Sequence, residues 1–267
     1  GGGTGSTLDE ALLQYLSDLQ AYMAIDPQSN SVTFKGANVF VVDGTDSTEC
    51  DGDCNGLGNL FIGYNDQDLP EGGSQTGAHN LVAGVGHTFT SYGGFLAGYK
   101  NTITGIFGTV AGGSGNTSNG QYSSVTGGEG NLAEGFCSSV TGGWDNMAIG
   151  DNSAVTGGYL GTASGPLSAV GGGEGNTASG KFASIAAGYN NKASGKYSSV
   201  SGGFDSAAEG EKATIGGGRE NIASGIGATV SGGAESVASG LGSTVSGGCE
   251  NFAEGEASPV AGGAKNV

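Results

Sequence analysis

The residues best equipped for chemistry lie between positions 43 and 56, in the segment DGTDSTECDGDCNG. Carboxylates separated by flexible glycines offer the hard oxygen ligands that Ca²⁺ binds in proteins. The carboxylates of this segment are Asp43, Asp46, Glu49, Asp51 and Asp53. The segment does not have the EF-hand pattern, so a solvated acidic loop is the alternative interpretation. Calcium is the one cofactor that the sequence brings into consideration.

The cysteines separate into one close pair and two isolated residues. Cys50 and Cys54 are four positions apart and can close a small disulfide ring, as is expected outside the cell. Cys137 and Cys249 are 112 residues apart in the sequence. In a stack of coils that rises ~4.8 Å per coil they lie ~35 Å apart, beyond disulfide reach. We therefore expect these two thiols to be free within one chain.

No group of residues has the spacing of a catalytic site. The two histidines, His79 and His87, are eight residues apart without matching Cys or carboxylate spacing. Glycine-rich stretches such as GGGEG lack the Lys and Ser/Thr of a phosphate-binding loop, and no βαβ pattern surrounds them. The sequence predicts a protein that is not an enzyme.

The composition excludes several partners. The chain has 25 acidic and 8 basic residues, a net charge of −17. Nucleic acids and anionic membranes require clustered Lys and Arg, so we expect neither as a partner. No apolar run is long enough to cross a membrane as a helix. With 59 Gly in 267 residues, the chain suits a thin, repetitive β architecture better than a large globular core.

A fifteen-residue repeat organises most of the chain. Steps of fifteen from Val125 meet Val or Ile each time up to Val260, and backward steps meet Val110 and then Phe95. From Val125 to Val245, Ala follows each of these positions by eight residues and Gly by ten, while Asn usually follows by six. The unbroken period predicts a parallel β-solenoid of about eleven coils over residues 95–263.

The residue types indicate how each coil is built. Val lies in a short strand such as SSVTG, where alternation points it inward and its neighbours outward. The glycine pair opens a turn because Gly adopts positive φ without steric cost, and the Gly at the tenth position closes a second turn. A second short strand points its Ala inward. We therefore predict an all-β solenoid, or β-roll, with the Val and Ala rows as its core.

The segments before the regular repeat are more varied. Residues 1–26 combine a glycine-rich start with a helix predicted over 6–25, and residues 27–57 are predicted as capping strands followed by the acidic Cys loop. Residues 58–94 are predicted as irregular first coils around an inserted loop, and residues 95–267 as the regular solenoid. One side of the helix has the spacing of a coiled-coil seam, which packs either on the solenoid end or in an inter-chain bundle. The seam residues are Leu12, Leu16, Leu19 and Met23.

Three motifs carry a resemblance to a known family. The stretches NLFIG, NLVAG and SSVTGG, the last followed by NxASG, resemble the head repeats of trimeric autotransporter adhesins over roughly residues 58–267. The resemblance implies a left-handed parallel β-roll in each chain and three rolls that associate side by side. The sequence departs from that family where the first Gly of each pair, such as Gly127, replaces Ile.

Two kinds of surface row are candidates for recognition. Ser and Thr flank many of the inward Val residues, and such hydroxyl rows either bind ice or pack against another chain. The position after the glycine pair is variable and rich in aromatic residues, which suits an interface between chains or with a receptor. Its aromatic members are Trp144, Tyr159, Tyr189 and Phe204.

These observations together predict a non-enzymatic, extracellular or cell-surface structural fibre or adhesin segment. Its main partner is expected to be a further copy of itself, in a homotrimer, and a host or surface receptor is a further candidate. One alternative is the subunit of an extracellular filament that polymerises end to end, because the ends of a parallel solenoid are open sheet edges. A weaker alternative is an ice-binding solenoid.

Overall fold

The structure is a computed structural model that describes residues 10–50, 54–66, 68–70 and 72–266. The chain divides into two compact units, Gly1–Val41 and Val42–Val267. Residues 6–9, the first part of the predicted helix, lie outside the described residues. Asp51 and Asp53 of the acidic loop lie outside them too.

The first unit contains a helix and a β-hairpin. Helix α1 spans Glu10–Tyr22, and strand β1 (Met23–Asp26) pairs antiparallel with β2 (Ser31–Phe34). The turn between the strands is held by Asp26, whose carboxylate accepts hydrogen bonds from the Gln28 N–H at 2.9 Å and the Ser29 hydroxyl at 2.8 Å. The prediction that the helix continues to residue 25 is therefore wrong. Met23 begins a strand, and only the three leucines of the seam remain helical.

The second unit is a parallel β-solenoid of about twelve coils in the described part of the chain. Fourteen of the described strands form one sheet, which we name the Val sheet. They are β3 (Leu60–Ile62), β4 (Leu81–Val85), β6 (Phe95–Tyr99), β8 (Thr109–Val110), β10 (Ser124–Val125), β12 (Ser139–Val140), β14 (Ala154–Val155), β16 (Ala169–Val170), β18 (Ser184–Ile185), β20 (Ser199–Val200), β22 (Thr214–Ile215), β24 (Thr229–Val230), β26 (Thr244–Val245) and β28 (Pro259–Val260).

Twelve further described strands form the Ala sheet on another side of each coil. They are β5 (Thr88–Phe89), β7 (Thr102–Ile103), β9 (Thr117–Ser118), β11 (Leu132–Ala133), β13 (Met147–Ala148), β15 (Thr162–Ala163), β17 (Thr177–Ala178), β19 (Lys192–Ala193), β21 (Ala207–Ala208), β23 (Ile222–Ala223), β25 (Val237–Ala238) and β27 (Phe252–Ala253). Each strand pairs with the equivalent strand of the coils before and after it, as β10 does with β8 and β12.

The core consists of the predicted Val and Ala rows. Val125 and Ala133 are fully buried, while Ser124 is partly exposed and Thr126 exposed, as strand alternation requires. A third row of parallel bridges, which the two-strand prediction did not include, joins the position four residues after each inward Val. In the coil of Val140, that bridge position is Trp144.

The first coils are one residue shorter than predicted. Phe95 pairs with Thr109, and Leu96 pairs with Val110, so fourteen residues separate the inward positions of these two coils. Leu96 is fully buried, whereas Phe95 is 36% exposed. The assignment of Phe95 to the inward row is therefore wrong, because a step of fifteen overshoots the true register by one residue. Leu96 is the inward residue of that coil.

The glycine pair explains the difference in length. Leu96 is three residues before Tyr99, but its partner Val110 is four residues before Ser114, which pairs with Tyr99. The longer coil therefore gains one residue in its glycine pair. The first Gly does not have positive φ, as at Gly127 and Gly142. A Cβ added at either residue would meet no atom within 4 Å. The second Gly has positive φ, 85° at Gly128, and lies against the backbone of the next coil.

Part of the inserted loop predicted within residues 58–94 is built into the solenoid. Gln75 forms an isolated parallel bridge with Phe89, and the Phe89 N–H donates to the Ser74 carbonyl at 2.9 Å. The Gln75 side chain also donates to the His87 carbonyl at 2.9 Å. The end of the predicted loop therefore extends the Ala sheet by one rung instead of projecting from it.

Candidate functional site

The acidic Cys loop folds around His79. The Asp43 N–H donates to His79 Nε2 at 3.3 Å, and His79 Nδ1 donates to the Thr48 carbonyl at 3.2 Å. The Asp43 carboxylate accepts hydrogen bonds from the Thr45 hydroxyl at 2.7 Å and the Thr45 N–H at 2.9 Å. These bonds from Thr45 hold the pKa of Asp43 below its usual value. His79, which carried no predicted role, anchors this loop.

The predicted ligands are not gathered into a metal site in the described part of the chain. Asp43, Glu49 and Asn55 line an open cleft of about 240 Å³, beside a disulfide between Cys50 and Cys54 with Cα atoms 5.0 Å apart. No group of three or more His, Cys, Asp or Glu side chains among the described residues could hold a metal ion. Asp46 does not line the cleft, and Asp51 and Asp53 are not described. Calcium binding at this loop stays a prediction.

The interior of the solenoid is tied together by a ladder of asparagines, which we name the Asn ladder. Asn131 donates its N–H to the Asn116 side-chain oxygen at 2.9 Å. Its side-chain amide donates to the Gly127 and Gly143 carbonyls, both at 3.0 Å, so one residue links three consecutive coils. The sequence indicated the repeated Asn but not this role. Equivalent rungs are Asn101, Asn116, Asn146, Asn176, Asn191, Asn221, Asn251 and Asn266.

One rung before the first of these asparagines is a histidine. His87 is 1% exposed, its Nδ1 accepts the Asn101 N–H at 3.2 Å, and its Nε2 donates to the Ala83 carbonyl at 3.1 Å. Both ring nitrogens are thus used by the neutral form. Burial lowers the pKa of His87 below its usual value. Hydrogen bonds to the carbonyls of Ala83 and Gly98 favour the cation, but their effect is smaller than that of burial.

The bridge position four residues after each inward Val or Ile, which we name the aromatic row, is exposed or partly exposed at its aromatic members. Trp144 is 54% exposed, and its ring centroid lies 5.0 Å from that of Tyr159. Tyr189 and Phe204 are also exposed, with stacked rings whose centroids are 5.0 Å apart. The four aromatic residues predicted for an interface therefore lie on one edge of the solenoid, as two pairs that each occupy consecutive coils.

A second exposed edge, which we name the corner row, was not recognised in the sequence. It is the position three residues before each inward Val or Ile, where the backbone has positive φ, as at Phe182 (61°) and Tyr197 (60°). The rings of Phe182 and Tyr197 are stacked 4.8 Å apart and exposed, as are those of Phe107 and Tyr122 at 5.6 Å. A recurring aromatic at this fixed distance from Val was the available signal.

Lysines border part of the corner row. Lys181 Nζ lies 5.2 Å from the Phe182 ring centroid, and Lys196 Nζ lies 5.0 Å from that of Tyr197. These cations stand out in a chain of net charge −17. Cys137 and Cys249 are free and exposed, in the corner row and the aromatic row respectively.

The first unit has no apolar core among its described residues. The seam leucines Leu12, Leu16 and Leu19 are exposed, and Met23 is only partly covered. The strands share this exposure, for example at Val32 and Phe34. A short helix and a two-stranded hairpin are marginal in water without packing.

None of the described helices has the length and apolar character needed to cross a bilayer. The repeat architecture by itself is that of a structural repeat protein. The sequence matches no protein-family model, and no curated protein is significantly similar to it.

Proposed function

We propose that this chain is a non-enzymatic structural segment of an extracellular fibre or adhesin, built from identical copies lying side by side. The observation that carries the proposal is the continuous stack of about twelve coils, locked internally by the Asn ladder. At ~4.8 Å per coil it forms a rod about 60 Å long. The core residues are fixed by packing, whereas the exposed rows vary from coil to coil and are free to carry recognition.

Self-association is supported by apolar surface that one chain leaves uncovered. The aromatic row and the corner row expose rings along the rod, and the first unit exposes its seam leucines. Contiguous apolar surface on a soluble chain marks an interaction site. The seam spacing of Leu12, Leu16 and Leu19 suits parallel identical helices, and the resemblance to adhesin head repeats favours three chains.

An extracellular or cell-surface location is supported by the Cys50–Cys54 disulfide, since such bonds persist in oxidising compartments. The net charge of −17 keeps assembled rods soluble and discourages binding to nucleic acid. A host or surface receptor would contact the exposed rows that remain free in the assembly. The same location would expose the acidic loop around Asp43, the predicted calcium site, to extracellular calcium.

Negative-stain imaging of the purified chain tests the proposal. Discrete, straight rods about 60 Å long and wider than a single solenoid are the expected particles. Long filaments that grow with concentration would favour the end-to-end polymer instead. Narrow single rods combined with thermal hysteresis of freezing would favour the ice-binding alternative. Compact, rounded particles would contradict the proposal.

A further inference from the structure

We propose that two exposed edges of the solenoid form a single interface between neighbouring copies: the corner row at Phe182 and Tyr197 packs on the aromatic row at Tyr189 and Phe204 of the next copy. This inference rests on the side-by-side association proposed above. It names the surfaces that meet, fixes the copies as parallel and places them in the same register.

The matching heights of the two edges are the main argument. Phe182 and Tyr189 belong to the coil of Ile185, and Tyr197 and Phe204 belong to the coil of Val200. The same two consecutive coils therefore carry a stacked ring pair on each edge, with centroids 4.8 Å and 5.0 Å apart. All four rings are 37–45% exposed. When identical rods lie parallel without axial offset, the two pairs face each other at equal height.

Charge in the coil of Val200 agrees with this pairing. Lys196 lies beside Tyr197 on the corner row, and Asp205 follows Phe204 on the other edge of the same coil. Asp205 accepts a hydrogen bond from Asn190 and has no cationic partner among the described ion pairs. The proposed contact brings Lys196 of one copy to Asp205 of the next. Such complementary charges select partner face and register more than they add affinity.

The symmetry of the contact follows from its two different edges. An interface in which one edge meets another is heterologous, so it does not form a twofold dimer, and it closes into a ring when the rotation between neighbouring copies divides a full turn. About twelve coils at ~4.8 Å give an edge of ~60 Å, so a strip ~14 Å wide supplies the ~800 Å² per partner of a stable interface. Elsewhere the rings of the two edges lie in different coils: Phe107 and Tyr122 in the coils of Val110 and Val125, and Trp144 and Tyr159 in the coils of Val140 and Val155.

Disulfide trapping tests the arrangement. In a background with Cys137→Ser and Cys249→Ser, the double variant Tyr197→Cys/Phe204→Cys should form covalent rings under mild oxidation. Each single variant should form no crosslinks, because the corner row of one copy does not meet the corner row of the next, and the same holds for the aromatic row. The chain already tolerates Cys on both edges, at Cys137 and Cys249. A register control, Tyr197→Cys/Ala234→Cys, displaces one thiol by two coils and should remain uncrosslinked.

Charge reversal provides a second readout. Lys196→Glu or Asp205→Lys should each weaken association about tenfold, since every interface in the ring is affected, and the double reversal should restore it. Assembly without crosslinks, or crosslinks in the single variants, would overturn this interface and leave the proposed function standing. A chain that stays monomeric in every variant and in the unmodified protein would overturn both.

Discussion

The glycine pair offers the sharpest test of how the coils are built. Gly142→Ala adds a methyl group that meets no atom within 4 Å, on a backbone without positive φ. Ala leaves the unfolded chain fewer conformations than Gly does. The free energy of unfolding of this variant should therefore be unchanged or higher by ~0.4–1 kcal/mol. The chain already contains this substitution, since Ala187 takes the place of the first glycine in its own coil.

Gly143→Ala should behave oppositely. The residue has φ 89°, which costs an L-residue ~1–2 kcal/mol. Its Cβ would lie 2.5 Å from Asn146 Nδ2 and 2.8 Å from the Gly158 N atom, and closer still to the Gly158 carbonyl oxygen. To relieve the clash the coils must separate, which weakens the bonds from Trp144 N–H (3.0 Å) and Asn146 Nδ2 (2.9 Å) to that oxygen. At ~1 kcal/mol per bond, the total loss is ~3–4 kcal/mol.

Urea unfolding followed by circular dichroism measures both variants, with the two glycines serving as matched controls for each other. Hydrogen exchange in residues 139–163 locates the effect. Equal losses in the two variants, or a neutral Gly143→Ala, would refute the distinction between an inserted glycine and a stacked one.

Three further outcomes are expected. Val200→Asp should destabilise the chain by several kcal/mol more than Ser201→Asp in thermal unfolding, because only the first buries an unpaired carboxylate. Equal shifts in melting temperature would show that the inward assignment of Val200 and the outward assignment of Ser201 are wrong. His87 has a lowered pKa in the folded state, so its contribution is fully present above the unfolded value of ~6.5 and falls as the pH drops below it. The variant His87→Asn should lose that pH dependence of stability. If the dependence is retained, a group other than His87 causes it. Ser168→Ala should be neutral or stabilising by up to ~1 kcal/mol in the same assay, since the buried hydroxyl has no hydrogen-bond partner among the described residues. A clear loss of stability would show that the hydroxyl does make a hydrogen bond.

The regular part of the fold could be predicted because each coil repeats the same local solution. Val125 and Ala133 alternate with exposed neighbours, and a constant period leaves one register that buries both. The prediction failed where the period changed. Phe95 stands fifteen residues before Val110, but the coil lacks the inserted glycine, so Leu96 takes the inward place. Only pairing between coils fixes that choice.

The rest depended on geometry that residue types do not reveal. Positive φ at Tyr197 breaks the usual preference of aromatic residues, so the corner row did not resemble a turn position. Met23 was assigned to the helix because its spacing suits a seam, whereas the turn at Asp26 draws it into a strand. The sequence shows that Asn recurs from coil to coil, as at Asn131, but not that its side chain bonds three coils together.

Sedimentation equilibrium at low micromolar concentration tests the central claim, that copies of this rod associate side by side. The expected result is a single species of three times the 25.8 kDa chain mass, with folded β structure by circular dichroism. A stable, folded species at the mass of one chain would contradict the claim.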